Sequence, residues 1–280
     1  MARPDARRVP ISGIMQCCID LKPHRYENEV YIDQPLDVTE VASWLDARKA
    51  EGEHFTFFHA FLFAIAKTMY NRPKLNYFVA NRHLYEHNTV EIAFVAKMSL
   101  NDQAEEVMLV IPIEPTDTIV EIREKIRAGL DNARGEEMNK EGANSAIDVL
   151  GKLPNPLRVP IFGIIKSLDK KGWLPAGLRK DNLYYSSMIV SNLGSIRCGA
   201  IYHNVANFGS SSSLATIGEI KPVEMDGEVR KMCDFGITID ERVADGYYFA
   251  KSIKVMEYIL LHPEMLMEGA ATKIEVPELR

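Results

Sequence analysis

The 280-residue chain contains no long apolar run. It nowhere reaches the ~18 consecutive apolar residues that a membrane span needs. Its basic start, MARPDARRVPISGIM, is not followed by the apolar stretch of a secretion signal, so a cytoplasmic protein is expected. Cysteine is scarce: Cys17, Cys18, Cys198 and Cys233 form no Cys-x-x-Cys pair and no even framework. Adjacent cysteines on a strand point to opposite faces, which makes Cys17 and Cys18 poor partners for one metal. Buried, reduced thiols are expected.

An excess of positive charge is also missing. Lys and Arg number 33 against 39 Asp and Glu, a net charge of −6, which excludes nucleic acid as a bulk electrostatic partner. No GxGxxG or GxxxxGK[ST] loop is present, so nucleotide-dependent chemistry has no support. Asp234-Phe235-Gly236 spells a kinase triplet without the rest of that signature. No HExxH occurs. His83 and His87 are four apart on an expected hairpin, where that spacing gives no shared helical face, and no metal is expected. There is no Gly-, Ser- or Pro-rich linker and no internal repeat. One domain over residues 13–280 is expected, behind an N-terminal arm of residues 1–12.

What is present is the composition of a globular protein, 46% apolar and 26% charged. Strands are expected over Ile14 to Leu21 and Glu29 to Ile32. A helix is expected from Asp37, with Glu40 three residues on as a capping box and Gly52 as its stop. His54 to Tyr70 is apolar nearly all round, the pattern of a buried helix, and Pro73 ends it. FVANRHLYEH and VEIAFVAKMSL read as strands about a turn at His87-Asn88, and EEVMLVIPIEP as another. Ile119, Ile122, Ile126 and Leu130 recur at helical spacing, and a frayed helix end and polar loop are expected over 131–145. Leu157 to Lys180 is helical in outline, interrupted by Pro160, with a basic edge at Lys166, Lys170, Lys171, Arg179 and Lys180. Strands at Tyr184–Ser191, Leu214–Ile220 and Cys233–Asp240 precede a helix from Asp245 to His262. The irregular alternation predicts an α/β fold of the α+β type, a mixed sheet with packed helices.

Two segments carry candidate chemistry. In MIVSNLGS, Ser191 ends a strand ahead of Asn192-Leu193-Gly194, a placement that suits a hydroxyl donating to a developing oxyanion, or simply a turn. In DERVADG, Asp240 ends a strand and Asp245-Gly246 begins a helix. Asp245 there is either an N-cap or a partner for Arg242 or another arginine. The tract Ser210 to Ser213 either lines a cleft or forms a plain turn.

Together these segments resemble the catalytic domain of the dihydrolipoamide acyltransferases of 2-oxoacid dehydrogenase complexes, a domain that shares its fold with chloramphenicol acetyltransferase. The resemblance runs through NRPKLNYFVANRHLYEHNTVEIAFVAK, SNLGSIRCGAIYHNVANFGSSSSLATIGEIK and DERVADGYYFAKSIKVMEYILLHPEML. It implies a two-layer fold, a homotrimer with sites between subunits, and coenzyme A or acyl-CoA as co-substrate without a metal. Ser191 matches the family's oxyanion-stabilising serine. Asp245 matches an aspartate that orients the site through an arginine, and Arg242, Gly246 and Asn192 match its support. The family's base is a histidine, and Glu241 stands at that position. Either Glu241 or His203, in AIYHNVANFG, is the candidate base; a scaffold without catalysis is the alternative. No lipoyl domain or covalently bound lipoyl group is expected on this chain, so an acyl donor would arrive in trans. The 157–180 stretch lies outside the family pattern. It is a lid, a coenzyme A phosphate contact, a membrane-surface element, or ordinary packing with a solvated basic face.

Overall fold

The protein is described here from a computed structural model, over residues 3–97, 106–138 and 151–276. In chain order these form β1 (Ala6–Arg8), α1 (Gly13–Leu21), β2 (Glu29–Asp33), β3 (Leu36–Asp37), α2 (Thr39–Ala50) and α3 (Phe57–Asn71). There follow β4 (Tyr77–Ala80), β5 (His83–His87), β6 (Val90–Lys97), β7 (Glu106–Ile113) and α4 (Ile119–Met138). The second half holds α5 (Asn155–Lys171), α6 (Ala176–Arg179), β8 (Met188–Asn192), β9 (Ser213–Met225), β10 (Glu228–Asp240) and α7 (Gly246–Leu261).

Seven strands build a mixed sheet in the order β2-β10-β9-β8-β6-β7, with β3 also on β10; a second sheet of three has the order β1-β5-β4. Strand β8 runs parallel to β6 and β9, while the other pairs are antiparallel. One face of the large sheet is apolar by alternation: Met188 and Val190, Ala215 and Ile217, then Phe235, Ile237 and Ile239 enter the core. Against it lies α3, whose residues Ala60 to Met69 are all buried, as its all-round apolar pattern predicts. Phe61 stacks on Phe235 at 6.1 Å. Lys67, fully buried within this helix, is satisfied by Glu268 at 3.1 Å and the Gly269 carbonyl at 3.0 Å. Residues of α2, α4 and α7 complete the same core. Helices α2, α3, α4 and α7 therefore form one layer and the sheet the other, the expected α/β arrangement of mixed sheet and packed helices.

Local expectations were met unevenly. Residues 14–21 form a helix, not a strand. Ser12 caps it by accepting from the Met15 N–H, and Ile14, Cys17 or Cys18, and Leu21 recur at helical spacing on its exposed side. Cys17 and Cys18 are accordingly exposed, Cys198 half-buried and Cys233 buried, so the expectation of buried thiols holds only for the last. The capping box at Asp37 and Glu40 does not form. Asp37 sits in β3, accepts from the Thr39 N–H at 2.9 Å and pairs with Arg230 at 2.8 Å. The break expected at His87-Asn88 falls at Asn88-Thr89, between β5 and β6. FVANRHLYEH, expected as one strand, is itself a hairpin of β4 and β5 about Asn81-Arg82, both with positive φ (46° and 63°) as a two-residue turn requires. Residues 183–185 form a 3₁₀ turn ahead of β8, and β9 and β10 extend into a long hairpin that reverses at Asp226-Gly227. Pro160 does not interrupt α5, which runs through it. Chain 119–138 is helix, and the polar loop expected to 145 lies outside the described residues from 139 onward.

A buried cation fixes the loop that crosses the uncovered face of the sheet. The Arg25 guanidinium donates to the carbonyls of Ala206 (2.7 Å), Phe208 (3.0 Å) and Gly209 (2.6 Å). Burial lowers it to about 10, partly offset by the charge of Asp240, so it remains a cation at neutral pH. The carbonyls converge because the chain turns at Gly209 with φ +73°; a Cβ there would lie 2.1 Å from the Tyr184 carbonyl oxygen. The serine tract that follows is a buried turn. Ser210 and Ser211 donate their N–H groups to the Tyr184 carbonyl, at 2.8 and 3.0 Å. Ser210 also meets His87, whose Nε2 lies 2.9 Å from its hydroxyl. The other ring nitrogen, Nδ1, is 3.1 Å from the Asn76 carbonyl, which can only accept. The Nδ1–H therefore donates, and Nε2 of the neutral ring shares the single Ser210 hydroxyl proton with the Tyr185 carbonyl at 3.2 Å. Burial holds this imidazole down to about 4.

Arg25→Leu leaves three buried carbonyls without their donor and should destabilise the fold by about 3 kcal/mol, read as a lower urea midpoint; an unchanged midpoint would show the loop to be held by other contacts. The depressed His87 gives a pH dependence of defined sign. The unfolded imidazole protonates near pH 6.5 while the native one does not. Stability is therefore complete above pH 6.5 and falls as the pH drops toward 4, by about 2–3 kcal/mol from this residue. Urea titrations at pH 7.5 and 4.5 should show that loss. His87→Gln should shrink it, and identical pH dependence in both proteins would contradict the assignment.

Candidate active site

Because Met188 and Val190 enter the core, Ser191 points to the opposite, uncovered face of the sheet. Its strand register places it beside Thr216 of β9, and Thr216 beside Gly236 of β10. Ser191 is half-buried, and its hydroxyl makes no hydrogen bond among the described residues. Asn192, half-buried in register with Ile217, is the last residue of β8, and the chain leaves through Leu193 into a 3₁₀ turn at Gly194–Ile196.

The loop after this turn recrosses the same face. Cys198 accepts from the Glu219 N–H at 2.9 Å. Ala200 then passes so close over β9 that a Cβ at Gly218 would lie 2.6 Å from its nitrogen, and Tyr202 lies over Gly236. Tyr202 meets Tyr31 edge-on at 5.4 Å. Asn204 and Val205 next donate to the Glu29 carboxylate at 2.8 and 2.7 Å, opposite Asp240. His203 is thus carried across at the level of Thr238, between those two anchor points. Three buried polar atoms here, Thr216 Oγ1, Thr238 Oγ1 and His203 Nε2, have no hydrogen-bond partner among the described residues. Buried polar groups are rarely left so, and three along one loop mark a place where a polar ligand or water can bind.

The DERVADG corner is built differently from what the resemblance implies. Arg242 is held by Asp240 through two short bonds, 2.8 Å from Nε and 2.6 Å from Nη2, with both side chains buried. Its remaining nitrogen reaches the Pro23 carbonyl at 2.8 Å. Asp245 is exposed and caps α7 by accepting from the Tyr248 N–H at 2.8 Å, with Gly246 the first helical residue. The arginine-orienting role expected of Asp245 is filled by Asp240. The Glu241 side chain points outward, 46% exposed, with its carboxylate 3.4 Å from Lys22.

Within one chain Ser191 and Glu241 do not meet. Two strand spacings and five residues of strand rise separate them, roughly 20 Å, and His203 lies between. Thr216, Thr238 and Arg25 went unnoticed in the sequence, and Asp240 was read only as the end of a strand. The two threonines did carry a signal: they are polar residues in phase with Gly218 and Gly236 on otherwise apolar strands. Arg25 carried none, since its partners are backbone atoms about 180 residues away. Among the described residues no cluster of His, Cys, Asp or Glu is arranged to hold a metal.

The sequence matches no protein-family model, and no curated protein matches it. Solved structures do match. A probable dihydrolipoamide acetyltransferase from Listeria monocytogenes superposes with a TM-score of 0.56 at 17% identity, covering 91% of this chain and 94% of its own. The truncated catalytic core of the 2-oxoacid dehydrogenase complex of Thermoplasma acidophilum gives 0.55 at 16% identity, over 92% and 99%. A chloramphenicol acetyltransferase gives 0.57 at 14% identity, over 91% and 99%. The chain has the chloramphenicol acetyltransferase-like fold of these acyltransferase catalytic cores.

Proposed function

We propose that this protein transfers an acyl group between a thioester and a small-molecule acceptor, with coenzyme A or acyl-CoA as co-substrate, and that His203 is the base. The supporting observation is that the sheet face bearing the unclaimed Ser191 hydroxyl is crossed by the loop that carries the buried, unpartnered Nε2 of His203. In this reading His203 Nε2 takes the proton of the attacking thiol, and the thiolate adds to the acyl carbonyl. Ser191 donates to the oxyanion, and its collapse expels the leaving group, which recovers the proton from His203. Glu241 is the poorer candidate. A free glutamate is a weaker base than histidine by about 2 pKa units, roughly 3 kcal/mol of proton transfer. Its carboxylate also faces an ammonium and solvent, and an ionised carboxylate repels a forming thiolate.

The proposal includes a homo-oligomer, a trimer by the resemblance above. Tyr31, Ile196, Ile201 and Tyr202 expose apolar surface around the Ser191–His203 face, which a second copy would cover. The outward, lysine-paired Glu241 favours a second reading, a scaffold that binds a thioester without turning it over.

Thiol release from acetyl-CoA, assayed with a panel of amine, hydroxyl and thiol acceptors, separates these readings. Ser191→Ala should lower the rate roughly 100-fold, His203→Gln by roughly 100- to 10,000-fold, and Glu241→Gln by only a few-fold. Loss with Glu241→Gln and not with His203→Gln would move the base to Glu241; coenzyme A binding without turnover on any acceptor would establish the scaffold. Sedimentation should show an oligomer that Ile201→Asp converts to monomer, whereas a monomeric wild type would contradict assembly on this face.

A further inference from the structure

Helix α5 buries a single residue, Asp169. Leu157, Val159, Phe162 and Ile164 on the helix, and Trp173 and Leu178 just beyond, are large apolar side chains left exposed, from 41% for Phe162 to 65% for Val159. The same stretch is basic. From Lys152 to Lys180 there are seven Lys and Arg against one acid, a net charge of +6 in a chain whose total is −6. That one acid is Asp169, turned inward. Its carboxylate accepts from the Tyr185 hydroxyl at 2.6 Å and the Gly209 N–H at 3.0 Å, and its carbonyl accepts from Arg3 at 3.0 Å. The outward side of the segment therefore presents apolar and cationic groups with no carboxylate. Lys171 lies over the Trp173 ring at 5.0 Å, at the C-terminal end where Gly172 and buried Leu174 fasten the segment to the body.

We propose that this face, residues 152–180, seats on an anionic lipid bilayer, with α5 lying in the plane of the interface. Exposed Leu, Ile, Phe and Trp side chains flanked by lysines suit the boundary between headgroups and acyl chains. Negative headgroups supply the counter-charge that the segment lacks. The remainder of the chain is acidic and is repelled by such a surface, so the charge distribution also sets the orientation. A second copy is a poor occupant, since two faces carrying this excess of lysine and arginine repel. Among the described residues no helix is long and apolar enough to cross a membrane, which leaves attachment at the surface. The inference does not depend on acyl transfer.

The test is flotation of the full chain with phosphatidylcholine vesicles, with and without phosphatidylglycerol, at low and high salt. Binding should require phosphatidylglycerol and weaken with salt. Converting Lys166, Lys170 and Lys171 to Gln should lower partitioning roughly 100-fold, about five-fold for each lysine. Phe162→Ser with Ile164→Ser should lower it at least about ten-fold. All five positions are exposed, so urea midpoints should match the wild type. In a Trp44→Phe background, vesicles should shift Trp173 emission to the blue. Failure to float with anionic vesicles at low salt would overturn the proposal. So would equal binding to neutral vesicles, or flotation that survives loss of the three lysines.

Discussion

A guanidinium buried without a carboxylate in contact is costly unless hydrogen bonds offset it. Arg25 answers with its two terminal nitrogens on backbone carbonyls, while its buried Nε has no partner among the described residues. The 206–209 chain must therefore curl around the cation, and its path follows. Coming off the Ser191 turn, it crosses β9 and β10 over Gly218 and Gly236, touches β2 at Glu29, and ends at Gly209. There one residue serves two buried partners, the Gly209 carbonyl accepting from Arg25 and its N–H donating to Asp169. The position of His203 over the sheet, the buried serine turn against His87, and the attachment of α5 all depend on that path.

The charged corner obeys a separate constraint. Asp240 and Arg242, two residues apart and both buried, satisfy each other and leave the intervening side chain facing out. Position 241 is therefore under no packing demand, and a glutamate there costs the fold nothing. The corner keeps its strand end, arginine and helix cap whether or not residue 241 takes part in chemistry.

The fold was legible where burial imposes a period. The all-round apolar stretch became α3, the spacing of Ile119, Ile122 and Ile126 became α4, and Asp245-Gly246 opened α7 as its cap predicts. Elements failed where a short stretch fits two periods. Ile14 to Leu21 suits either a strand or a helix, and the Ser12 cap decided it. The Asn81-Arg82 turn was hidden because arginine is an unusual residue at positive φ. In the site, Ser191 and His203 were visible as residue types, but their common face was not. It depends on strand register, and on a loop whose anchor at Arg25 leaves no mark in local sequence. Asp240 was passed over for Asp245 because both stand in the motif, and only burial distinguishes the pair-former from the cap.

The tie between Asp169 and Gly209 links the exposed basic helix to the loop that carries His203, so surface attachment and the site share one rigid connection. The central claim is that the thiol of coenzyme A meets His203 on the Ser191 face. A crystal structure with coenzyme A bound tests it most directly. The sulfur should lie within hydrogen-bonding reach of His203 Nε2, on the side facing Ser191. A sulfur placed at Glu241, or one held beyond hydrogen-bonding reach of His203 Nε2, would contradict it.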